Sequence, residues 1–181
     1  NLTDGDLWAR LSAGAGVFEM GRPFAKDVFA FTPTLPRWID HEWGTGVVTF
    51  ACLKWLGPAS LLWLKVLLGV ATIALALAAG WRAGGRWASI LLIAPVAGAA
   101  IFPGFIPVIR SHAFTYALFA LLVVILEAMR AGKRWPALVV PFIMLVWIDL
   151  HGGFVAGFGM LCIYAAMAII TRTNARLFLL T

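Results

Sequence analysis

The sequence predicts an all-α fold: a polytopic bundle of transmembrane helices behind an N-terminal extracytoplasmic loop that holds short juxtamembrane helices. Three observations predict it. The chain of 181 residues is 62% hydrophobic and only 12% charged, about half the charge a soluble domain needs to cover its surface. Mean hydropathy is +0.95. The apolar stretches run for ~15–22 residues without the two-residue alternation of barrel strands, which is the pattern of membrane helices.

Residues 1–43 form a polar, aromatic region rich in Gly and Pro. Within it Asp4 or Asp6 is placed to cap a short helix over residues 7–20, which Gly21 and Pro23 terminate. "FTPTLPRW" reads as an extended loop. Residues 44–58 hold an apolar run too short to cross ~30 Å of hydrocarbon, ended by Gly57-Pro58, and read as interfacial or half-inserted. Residues 59–181 form the bundle proper. Five spans are expected near residues 59–81, 87–105, 113–130, 135–150 and 154–171. The chain opens at Asn1 in polar sequence and closes in "NARLFLLT", the start of another apolar helix, so it is expected to be truncated at both ends. Cys52 and Cys162 lie inside apolar segments and read as small core residues rather than a disulfide.

Basic residues set the orientation. Arg82 with Arg86, Arg130 with Lys133 and Arg134, and Arg172 with Arg176 form three clusters separated by two crossings each. They therefore share one side, the cytoplasmic one. The opposite side receives His41, His112 and His151 and every acid except Glu127. A full crossing by residues 44–56 would invert this orientation. The charge of +6 reports loop orientation and lipid phosphates. No phosphate loop, RNP-like motif or basic-aromatic stripe accompanies it, so nucleic acid is excluded as a partner.

Several groups at the outer face suit chemistry. Asp6 sits one helical turn before Arg10, either as a surface pair or as a general base beside its cation. Asp27 reads as a turn acid or a supporting acid, and Glu42 as a helix-start acid or a site acid. Arg110 and His112 precede a span with few other polar groups; they suit either headgroup snorkelling or recognition of a phosphate. Asp149 and His151 end one span beside Gly152-Gly153, and ionisable residues at that depth point to function. Lys65 lies inside an apolar span and needs either a path to the interface or an internal partner. The three histidines stand at span ends, which argues against haem ligation. No ligand spacing specifies a metal, although Asp4, Asp6 and a histidine are of the right type for a divalent ion. Asp6, Glu42, His112 and His151 are expected to share one cavity, because isolated charges at that depth are costly.

"DLWARLSAG", "GRPFAKDVFAFT" and "WIDHEW", followed by "IRSHAFTYALF" and "WIDLHGGFVAGFGML", together resemble the first outer loop and early spans of bacterial polytopic GT-C glycosyltransferases. The resemblance touches most of the chain, and the order and spacing of the motifs carry it. This chain differs from the pattern at Arg10 (often His), Ala30 (Ser), Ser111 (Pro) and Asp149 (Asn). The resemblance implies transfer of a sugar from a polyprenyl-phosphate carrier to an acceptor at the outer face of the bacterial inner membrane. It implies Asp6 as catalytic acid, Asp27 and Glu42 as supporting acids, and Arg110, His112, His151 and Arg10 as ligands of the carrier phosphate. Lipid-linked sugar and membrane lipids are the implied partners. The alternative is a non-catalytic membrane subunit that keeps this scaffold and packs against other subunits.

Overall fold

The computed structural model describes residues 5–105, 109–173 and 178, and among these it contains seven helices and no strands. They are α1 (Gly5–Met20), α2 (Trp43–Leu56), α3 (Ala59–Arg82), α4 (Trp87–Phe105), α5 (His112–Arg130), α6 (Pro136–Leu150) and α7 (Phe154–Ile170). The apolar runs thus become helices within a residue or two of the expected bounds, and α1 begins slightly earlier than expected, with Asp6 in its first turn. Asp4 and Arg176 lie outside the described residues. α3 and α5 are long and apolar enough to cross a membrane; α6 and α7 are shorter apolar helices.

α5 is the central helix. Its buried side chains Leu122, Leu126 and Met129 meet Val140, Ile143 and Trp147 of α6 in a core where Trp147 is wholly enclosed. Burying a tryptophan this completely is among the largest single contributions a side chain makes, about 3–5 kcal/mol by truncation to alanine. α3 packs against α5 along its length, while α4 rests chiefly on α3. The outward faces of α3, α4, α6 and α7 are apolar, with Leu67, Leu92, Leu138, Phe142 and Phe158 all exposed. Such a surface is costly in water and ordinary in hydrocarbon.

α2 does not extend this set of long helices. Its first residues bond to the end of α6, through the Trp43 indole N–H to Asp149 Oδ1 at 2.9 Å and the Thr45 hydroxyl to the Leu150 carbonyl at 2.5 Å. Its last turn stops at Gly57, whose backbone is left-handed (φ 79°), and Pro58 leads into α3. α2 therefore joins the end of α6 to the start of α3. α1 packs along α2 with Gly14 against Gly46, so close that a Cβ on Gly14 would stand 2.1 Å from the Gly46 carbonyl oxygen.

One expectation for a single residue changes. Cys162 is exposed on the surface of α7 rather than in the core, because the core face of α7 is taken by Gly157 and Ala168. Both cysteines are free thiols. Lys65 is buried, and its neighbours in a narrow crevice include Thr45, Thr49 and Phe114, so this lysine turns inward.

Candidate functional site

Four separate stretches of sequence meet where α1, α2 and α5 begin and α6 ends. Asp6, Arg10, His41, Glu42, Arg110, Ser111, His112 and His151 line one polar cleft of about 300 Å³. Four of them are delivered by helix termini: Asp6 by the first turn of α1, Glu42 by the residue before α2, His112 by the start of α5, and His151 by the residue after α6.

The charges pair unequally. Arg10 Nη1 reaches Asp40 Oδ1 at 2.5 Å, with the Asp40 carboxylate almost fully enclosed. Asp40 Oδ1 also accepts the backbone N–H of Glu42 at 3.1 Å, which shapes the turn into α2. Arg110 Nε stands 3.5 Å from Asp6 Oδ2 at the exposed rim. Glu42 is the pivot. Its Oε2 accepts the Ser111 hydroxyl at 2.9 Å and lies 3.8 Å from Arg10 Nε, while Oε1 is 3.7 Å from His41 Nε2 and 3.6 Å from His151 Nε2. One carboxylate thus faces an alcohol, two imidazoles and the edge of a guanidinium.

His151 is held in a defined tautomer. Its Nδ1 accepts the backbone N–H of Gly153 at 2.9 Å, so that nitrogen carries no proton. Thr115 Oγ1 lies 2.8 Å from the same Nδ1 and itself accepts the Trp147 indole N–H at 2.9 Å, which leaves the Thr115 hydroxyl proton free to point at His151. The proton of neutral His151 is then on Nε2, toward Glu42. Burial pushes the His151 pKa below its ordinary value; Glu42 pulls it up, and His112 and His41 push it further down. A protonated ring would also set a second N–H against that of Gly153. His151 is therefore a neutral N–H donor at physiological pH.

Of the residues singled out from sequence, the cleft unites Asp6, Arg10, Glu42, Arg110, His112 and His151. Asp27 stands apart. Its Oδ1 accepts the backbone N–H groups of Phe29 and Ala30 at 2.9 and 3.1 Å, and it borders a different groove with Pro33, Leu35 and Arg37. Asp149 is used as a cross-tie to Trp43. Asp40, Ser111, Thr115 and Trp147 are contributors that sequence reasoning passed over. Asp40 had a signal, since it sits two residues before Glu42, but which of two neighbouring acids meets a guanidinium depends on how α1 packs.

Among the described residues no group of three or more His, Cys, Asp or Glu side chains is arranged to hold a metal ion. The cleft's donors instead suit an anion at one side and a hydroxyl at the other. Arg110 and His112 present N–H donors at the rim, and Glu42 and Asp6 present acceptors. Comparison with protein-family models, curated proteins and solved structures finds no match for this chain.

Proposed function

We propose that this chain is the N-terminal membrane module of a GT-C-like glycosyltransferase that moves a sugar from a polyprenyl-phosphate carrier to an acceptor hydroxyl at the extracytoplasmic face of a bacterial inner membrane. The observation that carries the reading is the meeting of Asp6, Glu42, Arg110, His112 and His151 in one cleft at the ends of apolar helices. In this reading α3 to α7 all span the bilayer, with α1 and α2 on its outer face. The tryptophans support it. Trp63 and Trp81 on α3 are both exposed and eighteen residues apart, hence about 27 Å along the axis, close to the ~30 Å of hydrocarbon between two interfacial belts.

The chemistry follows from the donor set. An acceptor hydroxyl gives its proton to Asp6 as its oxygen bonds to the anomeric carbon, and the bond from that carbon to the carrier phosphate breaks. The departing phosphate takes the bonding electron pair, and Arg110 with His112 meets its charge. Glu42, fixed by Ser111 and His151, orients the acceptor and keeps the inner wall of the cleft negative. General-base action of this kind contributes ~10²–10⁴ in rate.

The test is a strain carrying Asp6→Asn in the full-length protein. Lipid-linked sugar consumption should stop while the variant accumulates and melts as the parent does, because the Asp6 side chain is 70% exposed. An unchanged glycolipid profile rules the enzyme reading out.

A second reading, a non-catalytic membrane subunit, is favoured by the outer face of α4, where Leu91, Leu92, Ile93 and Val96 are exposed on a helix packed chiefly on α3. In that case Asp6→Asn leaves sugar pools unchanged, and the chain purifies in mild detergent as a stoichiometric complex.

A further inference from the structure

Residues 21–39, which precede the cleft residues His41 and Glu42, take no part in the chemistry above, yet they are tied to one another and to α1. Phe24 lies on α1 at Gly16, where an added Cβ would fall 2.2 Å from its ring, and Asp40 is tied to Arg10. The Trp38 backbone N–H donates to the Ala25 carbonyl at 3.1 Å and closes the loop at its neck. The rings of Phe24, Phe29 and Trp38 then cluster, with centroids 5.5–6.3 Å apart. Asp27 completes the base by accepting two backbone N–H groups.

What this base displays is apolar. Phe31 is 99% exposed, Leu35 80% and Ile39 74%. Arg22, Lys26 and Arg37 are exposed in the same segment, and Asp27 is the sole acid in residues 21–39. A segment that exposes large apolar side chains together with three cations is poorly suited to water. It matches an interface where hydrocarbon lies beneath a layer of phosphate. Trp55 and Leu56 at the end of α2, and Trp63 on the next helix, are exposed as well, and exposed tryptophan is the residue type of a membrane interface.

We infer that residues 28–39 dock into the interfacial layer of an anionic bilayer, with Phe31 and Leu35 in the hydrocarbon edge and Arg22, Lys26 and Arg37 at the phosphates. Lipid is favoured over a protein partner by the charge, because three exposed cations against one acid, in a segment that exposes Phe31, Leu35 and Ile39, complement a phosphate plane over hydrocarbon. The inference rests on the reading that the long helices cross a membrane, and it is independent of catalysis. The docked loop would hold α1 and Asp40 from the lipid side and so steady the wall of the cleft.

The experiment uses the full chain with Cys52→Ala and Cys162→Ala, reconstituted in nanodiscs of phosphatidylcholine and phosphatidylglycerol. An environment-sensitive fluorophore is attached at Phe31→Cys, and in a separate sample at Leu67→Cys on the exposed face of α3. Brominated lipid should quench both probes and aqueous iodide neither. Replacing Arg22, Lys26 and Arg37 together by Gln should weaken lipid quenching at position 31 several-fold and leave position 67 unchanged. Iodide quenching at position 31 with lipid quenching retained at position 67 overturns the loop inference alone. Loss of lipid quenching at both positions overturns the membrane reading as well. Shielding at position 31 from both quenchers identifies a protein contact and equally overturns docking to lipid.

Discussion

Gly14→Ala tests the packing that builds the site, without touching a titratable group. The new Cβ would lie 2.1 Å from the Gly46 carbonyl oxygen, 2.4 Å from its carbon and 2.9 Å from Phe50 Cβ. Ordinary contact begins at 3.4 Å, so α1 and α2 must part by about 1.3 Å, the difference between 3.4 and 2.1. Two of the three obstacles are backbone, which cannot rotate away. Forced overpacking of this kind costs about 1–3 kcal/mol, which for a chain of this size lowers Tm by roughly 2–12 °C. Arg10 lies one turn before Gly14 on α1, so its 2.5 Å contact with Asp40 should loosen in the same variant. The assay is thermal unfolding in detergent, followed by tryptophan fluorescence. Gly98→Ala and Gly159→Ala serve as controls, since a Cβ meets nothing within 4 Å at either position. They should be neutral or slightly stabilising, because alanine is the better helix former by up to ~1 kcal/mol. If Gly14→Ala melts with the controls, α1 does not cross α2 at this distance, and the geometry of the cleft falls with it.

The proposed orientation predicts that cysteines placed at Ser111 and Gly152 react with impermeant thiol reagents from outside the cell, whereas one at Gly84 does not; the opposite pattern would mean α2 spans the bilayer. Thr115→Val removes the hydroxyl that bridges Trp147 and His151, so nitrogen NMR of labelled His151 should show a mixture of ring tautomers and a shifted titration, with Thr115→Ser restoring the parent spectrum. A single Nε2–H form in Thr115→Val would assign the tautomer to Gly153 alone. Stability should depend on pH in a calculable sense. His151 in the fold has a pKa below its ordinary value of 6.5, so the unfolded chain binds its proton first. The contribution is whole above about pH 6.5 and is lost as pH falls below that value. His151→Asn should flatten this slope, and an unchanged slope would show that another group produces it.

The helices were legible because a long apolar run without two-residue alternation reads as helix, and "LLWLKVLLGVATIALALAA" or "FVAGFGMLCIYAAMAII" has no competing pattern. α2 was legible as a short element because Gly57-Pro58 must end it. The partners inside the site were not legible. Asp40 and Arg10 are thirty residues apart, and Trp43 and Asp149 are 106 apart. Nothing local distinguishes the acid that meets Arg10 from the acid two residues later. Asp27 shows the opposite limit, for its position before Val28 and Phe29 suits a turn acid equally well, and the backbone N–H groups of Phe29 and Ala30 claim its carboxylate.

The way the acids are partitioned separates roles that their residue types leave equal. Asp40 is nearly enclosed and spends Oδ1 on Arg10 and on the backbone of Glu42, while its Oδ2 is buried without a hydrogen-bond partner among the described residues. An unmade bond at a buried carboxylate oxygen costs about 1–3 kcal/mol, more when it is charged. That cost is tolerable only where another demand fixes the residue, and here Asp40 fixes Arg10 and the entry to α2 at once. Asp149 is likewise consumed by Trp43. Asp6 meets its cation at the exposed rim, where water screens the pair and the carboxylate can exchange partners. Glu42 meets its inner partners through an alcohol and a neutral imidazole, which hold the carboxylate in place without neutralising it. In the proposed transfer, an exposed, screened acid at the mouth suits proton exchange with an incoming hydroxyl, and a fixed acid deeper in suits orientation. Asp6→Asn and Glu42→Gln should therefore fail differently. The first should lose turnover with little change in melting temperature. The second should also loosen the contacts among Ser111, His151 and the start of α2, so its melting temperature should fall. Equal melting temperatures in the two variants would show that Glu42 does not organise the inner wall.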